Sequence, residues 1–241
     1  MLNYHLFGII AATTFMITVF GLWLQLDLIM KRNKLFIHHQ LNNERPTDIL
    51  SLNQLSSMFF ACYAFYLYGI SLVPINHYLA WPRFMALIIL LFMFHKILID
   101  RESRISKIIF LGSVLLFFLS GLLFFIKADV GYLSKNLAQI LIIASTLVLA
   151  QGYLHQILVI RKTGKTGAVS IRLHQCVLLT AISTVAFGFA IGLKDGWPLI
   201  LLASVSAIMK VITIWHFRWV RVSLLAKSLR EASSQLEPES A

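Results

Sequence analysis

Lys210 is the residue whose type and position demand the most explanation. It sits inside the apolar run 197–217, about twelve residues after Pro198. At about 1.5 Å per helical residue it stands roughly 18 Å into a hydrocarbon core of about 30 Å. An ammonium at that depth is costly unless it is paired, hydrated or able to snorkel towards the interface. Three readings follow: a functional cation, a snorkelling side chain, or one half of a structural ion pair. As a functional group it favours an anionic or carboxylate-bearing solute, or a head-group phosphate, over a neutral sugar.

Other polar residues inside apolar stretches extend this candidate site. Ser206 lies one turn before Lys210, and Asn136 and Gln139 lie near the start of the run 136–160. Asn53 and Gln54 open the run 51–73, while His174 and Gln175 open 171–193. Such pairs either line a vestibule or hydrogen-bond between helices, and both readings stay open. Asp27, two residues after Gln25, either exchanges protons or pairs with Lys31 one turn on. The substrate-binding candidates are thus Lys210, Ser206, Gln139, Asn53, Gln54, His174 and Gln175. Gln25, Gln156, Asp27 and His155 are candidates for a gate.

No constellation for catalysis or cofactor binding is read. The sequence carries no nucleophile elbow, phosphate loop or paired acids in its apolar core, so the expectation is a non-enzyme without cofactor. Cys62 and Cys176 fall inside apolar segments and read as packed small residues. His38-His39 lacks a second ligand pair and reads as solvated loop. Tyr63, Tyr66 and Tyr68 can stack on a ring, but read first as core or interface residues.

The elements that must position these residues are membrane-spanning. Of 241 residues 59% are hydrophobic, and the mean hydropathy is +0.80, too little polar surface to cover a soluble globule. Seven runs are long enough to cross a bilayer: about 6–30, 51–73, 82–99, 105–126, 136–160, 171–193 and 197–217. None has the long alternation of a barrel.

The first third of the chain recurs in the last third. Gly21-x-x-x-Gln25, Lys31, Ser51, Gly69 and Trp81-Pro82 are answered by Gly152-x-x-x-Gln156, Lys162, Ser170, Gly188 and Trp197-Pro198. The offset is 131 residues at the glutamines, 119 at the serines and 116 at Trp-Pro, and it changes only in two stretches that read as loops. Repeats of this kind predict an all-α integral membrane protein of seven transmembrane helices, two parallel three-helix bundles joined by an inverting helix (3+1+3). The expected division is 1–100 for the first repeat, 101–130 for the linker helix, 131–217 for the second repeat and 218–241 for an amphipathic, then disordered tail. Each repeat is expected to end its first helix at the glutamine and to open its third at Trp-Pro. Ser170, and Asp48 or Ser51, are the expected caps of the second helices.

Charge supplies the orientation. Sixteen of the twenty-one Lys and Arg residues fall in the connections after runs 1, 3 and 5 and in the C-terminal tail. Arg83, Lys127, Lys135 and Lys194 make up the opposite side. The positive-inside rule then puts the N-terminus outside and the C-terminus in the cytoplasm, in a bacterial inner membrane or a eukaryotic organelle membrane. The net charge of +11 is therefore a topology signal, with no soluble basic domain to hold nucleic acid. The expected partners are a small-molecule solute and membrane lipids, with a homo-oligomer possible.

The loop motifs carry a resemblance. A glutamine, a basic glycine-containing turn (Arg161-Lys162-Thr163-Gly164-Lys165-Thr166-Gly167) and a serine opening the next helix form the second copy. The first copy repeats this with a longer loop. With the helix count and parallel repeats, the chain resembles the PQ-loop family, which includes SWEET-type sugar transporters and lysosomal amino-acid exporters. Leu24 and His155 stand where that family's motif has proline. The resemblance implies a transporter of a small polar solute, anionic or zwitterionic, through a site between the bundles, with Gln25 and Gln156 at its gate. The competing class is a non-transporting receptor or accessory subunit of the same fold.

Overall fold

A computed structural model describes residues 2–37, 45–71, 75–125 and 135–235. The described residues form eight helices and no strand: α1 (Leu2–Ile37), α2 (Leu52–Ser71), α3 (His77–Arg101), α4 (Arg104–Phe125), α5 (Lys135–Thr163), α6 (Ile171–Ile191), α7 (Leu193–Val222) and α8 (Leu224–Gln235). Six of them, all but α2 and α8, are long and apolar enough to cross a membrane. In α2 the residues Asn53, Gln54, Ser56 and Ser57 dilute the first two turns. The chain is a multi-pass, all-α membrane protein.

Two helix boundaries differ from the expectation. Gln25 and Gln156 do not end their helices: α1 runs on to Ile37 and α5 to Thr163. The residues after Gln25 contain no Gly or Pro, and the Asp27–Lys31 ion pair, 2.7 Å long, braces the extra turn. Likewise Pro82 and Pro198 do not open α3 and α7 but lie inside them. The helices begin earlier, at His77 behind an Asn76 cap and at Leu193. A proline there deprives the carbonyl four residues back of its donor. For Pro82 that carbonyl belongs to Tyr78, and the Arg83 guanidinium turns back and donates to it from Nη1 at 3.3 Å.

Packing follows two matched sets of neighbours. Helix α3 lies against α1 and α2, and α7 lies against α5 and α6. The sets meet where α1 packs on α6 and α2 on α5. Helix α4 sits outside, mainly on α3, and turns Ile108, Leu115 and Phe118 outward. That outward apolar face has the character of a lipid-facing surface. The buried stripe of α3 (Leu79, Ala86, Leu90, Met93, Phe94, Ile97) recurs every three or four residues and forms the spine of the first set.

Glycine makes the closest crossings possible, and the same crossing occurs twice. Gly21 of α1 faces Leu173 and Cys176 of α6, while Gly152 of α5 faces Gln54 and Ser57 of α2. The contacted positions are related by the 119-residue offset, the glycines by 131. A Cβ at Gly152 would meet the Gln54 Cα at 3.0 Å and collide with the Ser57 side chain. Gly152→Val is therefore expected to cost about 1–3 kcal/mol through overpacking, read as a lowered thermal midpoint of detergent-solubilised protein. An unchanged midpoint would mean that the α2–α5 crossing yields freely.

Candidate functional site

The site grows from the junctions that precede α2 and α6. Ser51 and Ser170 cap these helices, their Oγ atoms accepting from the backbone N–H of Gln54 and Leu173. The junctions leave one carbonyl and one N–H each facing the core, and buried glutamines take both. Gln156 of α5 donates from Nε2 to the Ile49 carbonyl (2.9 Å) and accepts at Oε1 from the Ser51 N–H (2.7 Å). Gln25 of α1 donates to the Ala168 carbonyl and accepts from the Ser170 N–H (2.7 Å). Each glutamine thus clasps the junction belonging to the other helix set. The matched atoms, Ile49 with Ala168 and Ser51 with Ser170, again differ by 119 residues.

The clasped turns are conformationally demanding. Gly164 and Gly167 have positive φ, 63° and 49°, which suits glycine. Ile49 also has positive φ, 66°, a conformation rarely adopted by a β-branched residue. It is held between the Gln156 side chain and Gly167, whose Cα leaves no room for a Cβ beside Ile49.

Between the helix sets lies a cavity of about 70 Å³. Its wall takes residues from α1, α2, α3, α5, α6 and α7, including Phe15, Phe65, Arg83, Tyr153, Thr180 and Ser206. Most of the wall is apolar. Arg83, 2% exposed, brings the one charge in the lining among the described residues. Thr18 and Thr180 hydrogen-bond each other at 2.6 Å across the α1–α6 seam. Ser206 and Tyr153 both line the cavity.

Lys210 occupies the next layer. It is completely buried, yet it is not in the cavity wall. Its Nζ stands 3.7 Å from the centroid of the Tyr153 ring, in cation–π geometry, and 3.5 Å from His174 Nδ1. Nε2 of His174 has no hydrogen-bond partner among the described residues, and its ring meets Phe217 edge-on. Among the described residues no carboxylate lies within 4 Å of the Lys210 ammonium. The structural ion pair, one of the three sequence readings, therefore finds no partner there. Tyr153 joins the two layers, since it lines the cavity and sets its ring against Lys210.

The remaining candidates scatter. Asn53 donates to Gln151 Oε1 at 3.0 Å, tying α2 to α5 away from the cavity. Gln54 is buried with Nε2 unpartnered, beside Gly152. Gln175 is exposed on α6. His155 is exposed and meets Ser51 Oγ through Nδ1 at 2.8 Å. Asp27 is spent on Lys31. The side chain of Gln139, like that of Asn136, lies outside the described residues, as does His38-His39.

Sequence reasoning missed Arg83, Tyr153 and the hydroxyl seam. Arg83 was counted with the rim opposite the basic connections, whereas it points inward to the carbonyl that Pro82 frees. The seam did leave a signal: Thr14 and Thr18, and Thr180 and Thr184, each one turn apart on facing helices. No protein-family model, characterised protein or solved structure matches the chain.

Proposed function

We propose that the chain is a membrane transporter of a small polar solute, anionic or zwitterionic, with its site between two parallel three-helix repeats. In this reading α1–α3 and α5–α7 are the repeats, α4 is the inverting helix, and α2 crosses the bilayer despite its polar first turns. The N-terminus is outside and the basic end cytoplasmic. The PQ-loop resemblance gives the glutamine clasps the place of a cytoplasmic gate.

The observation that carries the reading is the cavity, bounded by six helices from both sets and carrying a buried cation in its wall. A site shared by two repeats is what alternating access by rocking requires. The clasps and the glycine crossings, occurring twice at the same offsets, supply the pseudo-symmetry on which such rocking depends.

Counterflow uptake into proteoliposomes tests it, with carboxylates, amino acids, sugars and nucleosides offered to wild type and Lys210→Ala. Saturable uptake of one class, lost in the variant, is the expected result. Absence of uptake by folded, oriented protein favours the second reading, a receptor or accessory subunit of the same fold. That reading draws on Leu24 and His155 in the motif-proline positions and on the lack of interior proline in α1, α2, α5 and α6, since such prolines permit kinking.

A further inference from the structure

Arg83 is the buried cation that neither the charge pattern nor the repeat explains. Its guanidinium carbon lies 4.1 Å from the Phe15 ring centroid and 5.4 Å from that of Phe65. One nitrogen is occupied by the Tyr78 carbonyl at 3.3 Å, and Nε is buried without a hydrogen-bond partner. Among the described residues no carboxylate comes within 4 Å. Aromatic faces offset part of the desolvation of a guanidinium, but they accept no N–H bonds in its plane. The guanidinium thus stands in the wall of a cavity with Nε lacking an acceptor, and a carboxylate is the acceptor that suits it.

We propose that the central cavity binds a compact monocarboxylate anchored by Arg83. This rests on reading the cavity as the solute site and names its substrate class. Among the described residues one guanidinium is the only charge in the lining, so a second carboxylate would be desolvated without a partner. The seam hydroxyls offer little to a sugar. Thr18 bonds the Cys176 carbonyl, Thr180 bonds the Thr14 carbonyl, and the two bond each other. These three contacts compete for two hydroxyl hydrogens, so at most two are made at a time and this pair has no donor to spare. Size points the same way. At about 70 Å³ the space is roughly half of the 150 Å³ that accommodates benzene, which suits an acid of two or three carbons. The remaining wall, Phe15, Met58, Val177 and Leu202 among it, suits a short alkyl body.

The test is ligand-dependent thermal stabilisation, backed by calorimetric titration, of the full chain in detergent with acetate, propionate, citrate, chloride and glucose. Acetate or propionate is expected to bind, with at least a tenfold loss in Arg83→Gln and retention of weaker binding in Arg83→Lys. Ala181→Leu, which fills the cavity from α6 and leaves Arg83 in place, is expected to abolish binding and decides the matter if Arg83→Gln fails to fold. Undiminished binding in either Arg83→Gln or Ala181→Leu overturns the proposal, as does preference for citrate, chloride or glucose. Monocarboxylate binding without flux in proteoliposomes leaves this site standing and removes transport. Flux of another solute that is indifferent to Arg83→Gln and Ala181→Leu does the reverse.

Discussion

Gln156→Ala is expected to destabilise the protein by about 2–5 kcal/mol, and Gln25→Ala by a similar amount. Each substitution strips two hydrogen bonds from a buried junction, leaving one N–H and one carbonyl without a partner. Each orphaned buried group costs about 1–3 kcal/mol. Gln156 carries an additional burden, because its Nε2 holds the carbonyl of Ile49 at positive φ. Freed of that bond, residues 49–51 have reason to relax to an ordinary backbone conformation. Hydrogen exchange separates this from general loosening: the Ser51 amide should lose protection in Gln156→Ala while amides in the middle of α3 keep theirs. Gln156→Glu discriminates further, since it preserves the acceptor for Ser51 but sets a carboxylate against the Ile49 carbonyl. It is expected to be no better than alanine. Wild-type protection at Ser51 in Gln156→Ala would show that the junction is held by the serine cap alone.

The helices were legible because their causes are local. Apolar runs, serine caps and turn glycines act over one or two turns, and residues as far apart as Ser51 and Ser170 carry the same instruction. The recurrence of residues was legible for the same reason, and its 119-residue offset relates the two junctions that the glutamines clasp. What the sequence concealed was direction. Gln25 and Gln156 read as helix ends, yet they sit mid-helix, because the amide they must reach belongs to the other helix set and is set by crossing geometry. Arg83 read as a rim charge because spacing from the span end gives depth but not the way a side chain turns. Only the carbonyl freed by Pro82 explains its inward course. Depth in the apolar run singles out Lys210 from sequence, but that the Tyr153 ring stands between it and the cavity is a matter of tertiary packing.

Lys210→Met is the variant in which stability and function are expected to part. The ammonium is fully buried, has an aromatic face and one imidazole nitrogen for company, and no carboxylate within 4 Å among the described residues. A buried charge without a counter-ion carries an uncompensated desolvation cost, which an apolar side chain of similar length removes. The thermal midpoint should therefore hold or rise. On the transporter reading proposed above, flux should nevertheless fall at least tenfold, because the ammonium stands on the Tyr153 ring that forms part of the cavity wall. The loss is expected in turnover more than in the solute concentration for half-saturation, since Lys210 does not line the cavity. Tyr153→Leu should reproduce it by removing the ring that stands between the ammonium and the cavity. A lowered midpoint with unchanged flux would instead mark Lys210 as a packing residue. The chemistry of the site would then belong to Arg83, the one cation that the cavity itself touches.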